Sequence, residues 1–222
     1  MKFPITSIIN VSLCKILLLL MLSLFSFQSM ALNKFSHQVV CQLSYQNLSK
    51  TQQSEISSLL TQLPKKHVAL INKFTRQKTN SVITFAKACT WADAIKKLPE
   101  YHYLKPWHYL NIDRKRSNIT NASALDNCKN GCITSAINTH FQQAKTTQGW
   151  QKLQAVMLLG HWLGDIHQPL HVSFASDRGG NKTKIKTSDK CTNLHWYWDE
   201  CLLKSPNSSY KKLLKKLQSQ WQ

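Results

Sequence analysis

Two short stretches constrain this chain more than any others: "HWLGDIHQPLH" (161–171) and "NLHWYWD" (193–199). Residues four apart share one face of a helix. His161 with Asp165, and His195 with Asp199, therefore each present a nitrogen and an oxygen side by side. Holding imidazole and carboxylate beside an apolar run is costly unless something binds them. Nitrogen and oxygen donors at this spacing suit a metal such as zinc. His171 stands just past Pro169, where the helix must break and can turn the imidazole back towards the pairs. A lone H-x-x-x-D arises often by chance or as a surface ion pair. Two of them plus His171 within forty residues are harder to dismiss.

Three upstream residues are further candidates: Asp93 in "CTWADAIK", His108 in "PWHYLN" and, most weakly, His37 in "LNKFSHQVV". His167 is six residues from His161, off the ligand face of a regular helix, and reads as a supporting or structural residue. His67, His102 and His140 have no partner pattern and read as surface or packing residues.

Helical spacing dominates the rest. Glycine is scarce, at 6 of 222 residues, and strand-like alternation is rare. Phe35, Val39 and Leu43 lie four apart, and a second helix is expected over Glu55–Leu63 before Pro64. "SVITFAKACTWADAIKKL" (81–98) predicts one long helix stopped by Pro99, and further helices are expected at about 133–145 and 149–166. Residues 111–132 read as a polar loop and 176–190 as an irregular stretch or short hairpin. A helix is expected to begin near Asn193, and a basic one to close the chain around Tyr210–Trp221. No repeat and no linker interrupts this pattern, so the expectation is one all-α domain over residues 32–222.

Residues 1–31 stand apart. Lys2 and Lys15, the apolar run Ile16–Phe25 and the small-x-small sequence Ser29-Met30-Ala31 read as a secretory signal peptide cleaved before Leu32. Its removal leaves six cysteines, an even number that in an exported chain favours disulfides over thiolate metal sites. Of the formal charge of +19, Lys2 and Lys15 contribute only two. The excess implies attraction to polyanions, nucleic acid or an anionic membrane surface, without choosing between them.

The stretches "FSHQVVCQLSYQNL", "CTWADAIK", "WHYLN", "GHWLGDIHQPLH", "DRGGN" and "NLHWYWD" together resemble the zinc-dependent type I nucleases. These are single-strand-preferring endonucleases and 3′-nucleotidases secreted by fungi, plants and some bacteria. The resemblance implies a mostly helical fold related to zinc phospholipase C, with three zinc ions at the bottom of a cleft. It implies one zinc on Asp93, His108, His161 and Asp165, and a second on His171, His195 and Asp199. A third would take His37, the shared carboxylate of Asp165 and the main-chain amine and carbonyl of Leu32, where relatives begin with tryptophan. Lys96 matches a basic position near the scissile phosphate, Tyr109 a base-stacking aromatic, and Asn181 part of a cleft loop. The substrates implied are single-stranded DNA and RNA and 3′-nucleotides. No feature points to a stable protein partner, and a monomer is expected.

The resemblance also implies a Cys41–Cys89 bond stapling the helices of His37 and Asp93, as in plant members. Cys128 with Cys132 could close "CKNGC", and Cys191 with Cys201 would bracket His195 and Asp199, although six cysteines permit fifteen pairings. Two departures stand out. Asn111 replaces the aspartate with which fungal members position the attacking water, and asparagine cannot act as a base. The chain also ends twenty-one residues after Cys201, where many relatives continue. Two other classes share part of the pattern: a zinc phospholipase C, with similar metal geometry, and a non-catalytic cationic protein that coats polyanions. The sequons at Asn118 and Asn121 are possible glycosylation sites.

Overall fold

The computed structural model describes residues 33–116, 128–188, 190–202 and 209–220. The expected signal peptide, Leu32, the sequons at Asn118 and Asn121, and Trp221 lie outside the described residues.

Helix α1 (Lys34–Gln46) starts where the Asn33 side chain accepts hydrogen bonds from the amides of Phe35 and Ser36. Helix α2 (Lys50–Leu60) begins five residues earlier than the apolar pattern predicts. Ser49 and Gln52 form a reciprocal capping box there, which satisfies two amide donors before any apolar residue appears. Pro64 does not only end a helix; it is the N-cap of α3 (Lys65–Phe74), which the periodicity alone missed. Its missing N–H costs nothing at a helix start, which is why the same residue serves both purposes.

The single helix expected over 81–98 is two short ones, α4 (Phe85–Ala88) and α5 (Trp91–Ile95). Thr84 caps the first, leaving residues 81–84 outside it. Thr90 breaks the run with φ −84° and ψ 0°, and its hydroxyl donates to the Lys87 carbonyl at 2.7 Å, competing with the helix ladder. A 3-10 segment (Pro99–His108) follows and leads into strand β1 (Leu110–Ile112). The polar region after it thus opens with a strand, not a loop.

Helices α6 (Ile133–Thr146) and α7 (Gly149–Ile166) match expectation and pack against each other. After α7 a 3-10 turn (Pro169–His171) feeds strand β2 (Val172–Phe174), which pairs with β1 in parallel, Leu110 opposite Val172 and Ile112 opposite Phe174. Residues 176–182 form turns, and one antiparallel bridge follows between Lys184 and Asn193. Asn193 caps α8 (Leu194–Trp196), which widens into a π-turn (Tyr197–Cys201). Helix α9 (Tyr210–Gln220) lies on α1, with Tyr210 edge-on to Phe35 at 5.9 Å.

Among the described residues the architecture is therefore all-α apart from one pair of three-residue strands. Trp91, Trp162, Ile71, Ile95, Leu104, Ile133, Leu153 and Met157 are the largest fully buried apolar side chains. Each such burial stabilises the fold by roughly 1.5–3 kcal/mol. Helix α7 serves two purposes: Leu153, Met157 and Trp162 enter this core, while His161 and Asp165 leave the same helix towards a polar centre.

Three disulfides join Cys41 to Cys89, Cys128 to Cys132 and Cys191 to Cys201. The first lies directly against α7. A Cβ on Gly160 would come within 2.8 Å of the Cys89 Sγ and 3.1 Å of the Cys41 Sγ. Only glycine lets the helix approach the bond so closely, one residue before His161.

Candidate metal centre

Six chain segments converge on one buried polar centre. Helix α1 supplies His37, α5 supplies Asp93, and the end of the 3-10 segment supplies His108. Helix α7 supplies His161 and Asp165, the turn after it supplies His171, and α8 with its π-turn supplies His195 and Asp199. All eight side chains are buried.

Asp165 stands in the middle. Its Oδ1 lies 3.2 Å from His37 Nε2 and 3.6 Å from His171 Nδ1, and its Oδ2 lies 2.9 Å from His108 Nδ1 and 3.2 Å from His161 Nε2. His195 Nε2 is 3.3 Å from Asp199 Oδ2, and His171 Nε2 is 3.7 Å from Asp199 Oδ1. The donor atoms form three groups, each close enough for one ion: His37, His161 and Asp165; Asp93, His108 and His161; and His171, His195 and Asp199. Five of these residues were read from their spacing in two separate stretches, and Asp93, His108 and His37 as isolated candidates; the fold fuses them.

The surroundings orient these donors. His161 Nδ1 faces the Cys89 carbonyl at 2.7 Å, His171 Nδ1 the His108 carbonyl at 2.8 Å, and His195 Nδ1 the Gly179 carbonyl at 2.6 Å. A ring nitrogen donating to a backbone carbonyl leaves the other nitrogen's lone pair for a metal. The opposite nitrogens of His171 and His195, together with His37 Nε2, His108 Nε2, Asp165 Oδ1 and Asp199 Oδ2, have no hydrogen-bond partner. A buried polar atom left so costs about 1–3 kcal/mol. Six of them, on residues whose donors fall into three close groups, fit bound cations.

Charge follows the same geometry. Burial works against ionisation of Asp165, but the imidazoles of His161, His171, His37 and His108 outweigh it and hold its carboxyl well below the usual carboxylate range. Burial likewise opposes the charge on Asp93, and the Lys96 ammonium, ahead of the imidazoles of His161, His108 and His37, drives its carboxyl down. His161 and His171 also resist charging by burial, yet Asp165 raises both above the ordinary imidazole value. His108 is pushed down to about 4, mainly by burial, with Asp165 offsetting only part. His37 is lowered by burial and then by His161, whose ring stacks on it at 3.7 Å, despite the nearby Asp165.

Lys96 reaches this centre through Asp93, donating from Nζ to Oδ1 at 2.8 Å with its own side chain partly exposed. Tyr109 and Asn111 do not enter the cluster. The backbone at Tyr109 is extended (φ −151°, ψ 168°), so His108, Leu110 and Ile112 turn inwards while Tyr109 and Asn111 share the outer face. Asn181 is also outside the cluster, its amide donating to the Arg178 carbonyl within its own turn. The neighbouring glycines do more than make that turn. Gly179, at φ 61°, supplies the carbonyl that orients His195, and a Cβ there would sit 2.5 Å from the Leu170 oxygen.

His167 is exposed and its ring faces the Leu163 carbonyl of its own helix, so it does not support the centre. Its neighbour Gln168 does, and sequence reading missed it. Gln168 is buried, donates from Nε2 to Asp199 Oδ1 at 2.7 Å and accepts from the Leu170 amide. His67 and His140 are packing residues as expected, each receiving an indole N–H, from Trp91 and Trp162 respectively.

The chain is similar to several known proteins. Over 164 residues the chain is 32% identical to Endonuclease 3 of Arabidopsis thaliana, covering 68% of this chain and 54% of that protein. It is 28% identical to Endonuclease 2 of the same plant over 181 residues, covering 78% of this chain and 56% of that one. With Nuclease S1 of Aspergillus oryzae the identity is 30% over 122 residues, 54% of this chain and 42% of that one. The chain thus spans about half the length of the curated relatives it matches. A family model described as S1/P1 Nuclease matches residues 33–222, which include every described donor of the metal centre. The chain belongs to the S1/P1 nuclease family.

Proposed function

We propose that this protein is a zinc-dependent endonuclease and 3′-nucleotidase. It hydrolyses phosphodiester bonds of single-stranded DNA and RNA and leaves 5′-phosphates with free 3′-hydroxyls. The observation that carries this reading is the buried cluster of three donor groups around Asp165 and Asp199, with its unpartnered nitrogens and carboxylate oxygens. The family is zinc-dependent, and three ions are the count that suits three donor groups. Asp93, His108, His161 and Asp165 would hold one ion, and His171, His195 and Asp199 a second. His37 and Asp165, completed by the amine and carbonyl of Leu32 after signal-peptide removal and export, would hold a third.

Zinc in such a centre supplies hydroxide near neutral pH and neutralises charge on the phosphate. The protein's own groups do the rest. Asp165 spans the donor groups and fixes their spacing. Lys96, with one N–H on Asp93, keeps two for a phosphate oxygen at the rim. Tyr109 offers an exposed ring on which any unpaired base can stack, and Asn111 shares its face as a hydrogen-bonding group. Asn181 holds the turn that orients His195. The large positive charge, of which the signal peptide carries only Lys2 and Lys15, draws in a polyanion.

The test is hydrolysis of denatured against duplex DNA by the zinc-loaded protein, with metal analysis alongside. Faster cleavage of the denatured form, lost in chelator and restored by zinc, is expected. Faster cleavage of intact duplex, or of phosphatidylcholine in place of nucleic acid, would overturn the assignment.

A further inference from the structure

We propose that the loop closed by Cys128 and Cys132 is a phosphate clamp, in which Lys129 binds a phosphate carried by a nucleoside whose base lies on Tyr109. This rests on the nuclease reading above and assigns a part to a loop which that reading leaves unused.

A cavity of about 340 Å³ lies beside β1. Pro106, Tyr109 and Asn111 line one side, and Lys129, Asn130 and Gly131 line the other. The strand's alternation dictates the first wall: residues 109 and 111 point outwards because 108, 110 and 112 point in. Covalent and hydrogen bonds fix the second. The disulfide closes a five-residue ring, the Gly131 amide donates to the Cys128 carbonyl at 2.7 Å, and Trp107 Nε1 donates to the Asn130 carbonyl at 3.3 Å. Gly131 adopts φ 84° and lies so close to the Trp107 indole that any Cβ would collide with the ring. The Ile133 amide then donates to the Tyr109 carbonyl at 3.1 Å, tying the two walls together. Lys129 is consequently held opposite Tyr109 by a preorganised frame, which lowers the ordering cost of binding.

The chemistry of the lining selects the ligand. Tyr109 gives an aromatic face, 37% exposed. Asn111 and Asn130 give neutral donors and acceptors suited to a base edge or a sugar. Lys129 is the one ionised side chain among the lining residues, and "CKNGC" contains no acid to neutralise it. A flat ring, neutral polar groups and a single point cation fit a nucleoside monophosphate unit. The volume is at the small end for ligand pockets and admits one such unit.

The experiment measures equilibrium binding of thymidine and of thymidine 5′-monophosphate to the zinc-loaded protein, wild type against Lys129→Ala and Lys129→Arg. Neither ligand is consumed by the proposed reaction. Affinity for the monophosphate should fall about fivefold in Lys129→Ala, the effect of one solvent-screened ion pair. Thymidine should bind unchanged, and Lys129→Arg should retain the preference. Inorganic phosphate, as a control for anions held at the metals, should bind equally to all three proteins. Equal losses for both ligands, no loss for either, or no binding of either ligand to the wild type would overturn the clamp. Lysine-dependent binding without any single-strand hydrolysis would remove the nuclease reading and leave this one standing.

Discussion

Asp165 sits among four imidazoles, and that neighbourhood decides how acid acts on the centre. His161 and His171 hold their protons more tightly than free imidazole does, because Asp165 outweighs the effect of burial. Coordination needs the neutral ring, so a cation must displace both protons once the pH falls below the raised values. His108, pushed down to about 4, is already neutral and adds nothing in that range. Zinc affinity should therefore fall as pH falls from neutrality, by up to about 100-fold per pH unit for two protons. Competition with a chelator between pH 5.5 and 8 measures it, and a flat profile would contradict it. At the same scale, Gln168→Leu removes the amide that holds Asp199 and should lower metal affinity or activity about 10- to 100-fold. Asp165→Asn should abolish hydrolysis outright, with metal content showing loss from more than one group. The ligand pairs were legible in sequence because a helix makes four-residue spacing a local matter. Gln168 was not, because its contact spans 31 residues and exists only once the chain has folded.

Elements were legible where a periodic run met clear ends, as in α6 and α7. They were misread where side chains compete with the backbone. Thr90 is such a place, since its hydroxyl bonds to the Lys87 carbonyl and splits an otherwise continuous apolar pattern. The break serves the site, because α5 starts afresh and carries Asp93 into the interior. The Cys41–Cys89 bond pins this region to α1 and presses on α7 at Gly160. Gly160→Ala should cost about 1–3 kcal/mol through overpacking, a fall of roughly 2–4 °C in melting temperature for each kcal/mol. Thermal melts test this, and the cost should shrink when Cys41 and Cys89 are both replaced by alanine. An equal cost in both backgrounds would show that the disulfide is not what the new methyl meets. Reduction should also release metal before the helices unfold, since the Cys89 carbonyl orients His161.

For the whole molecule, the charge was the easiest property to read and the least specific. Helix α9 illustrates how it is displayed: Lys211, Lys212, Lys215 and Lys216 are exposed while Tyr210 rests on α1. Binding of single strands should weaken linearly in log–log terms as salt rises, with a slope of about −0.7 for each phosphate contacted. Anisotropy of a labelled oligonucleotide measures that slope, and removing Lys129 should lessen it by about one contact.

The disulfides have a consequence for how the chain is held as a whole. Each closes on its own side of residue 116, one before it and two after it. The donors are divided by the same point, His37, Asp93 and His108 before it and the other five after it. A polypeptide cut near that point would part into two pieces in denaturant without any reductant. Mixed again, those pieces would be a split protein, with the β1–β2 ladder as the hinge of their meeting and a divalent ion as the reagent that reunites them.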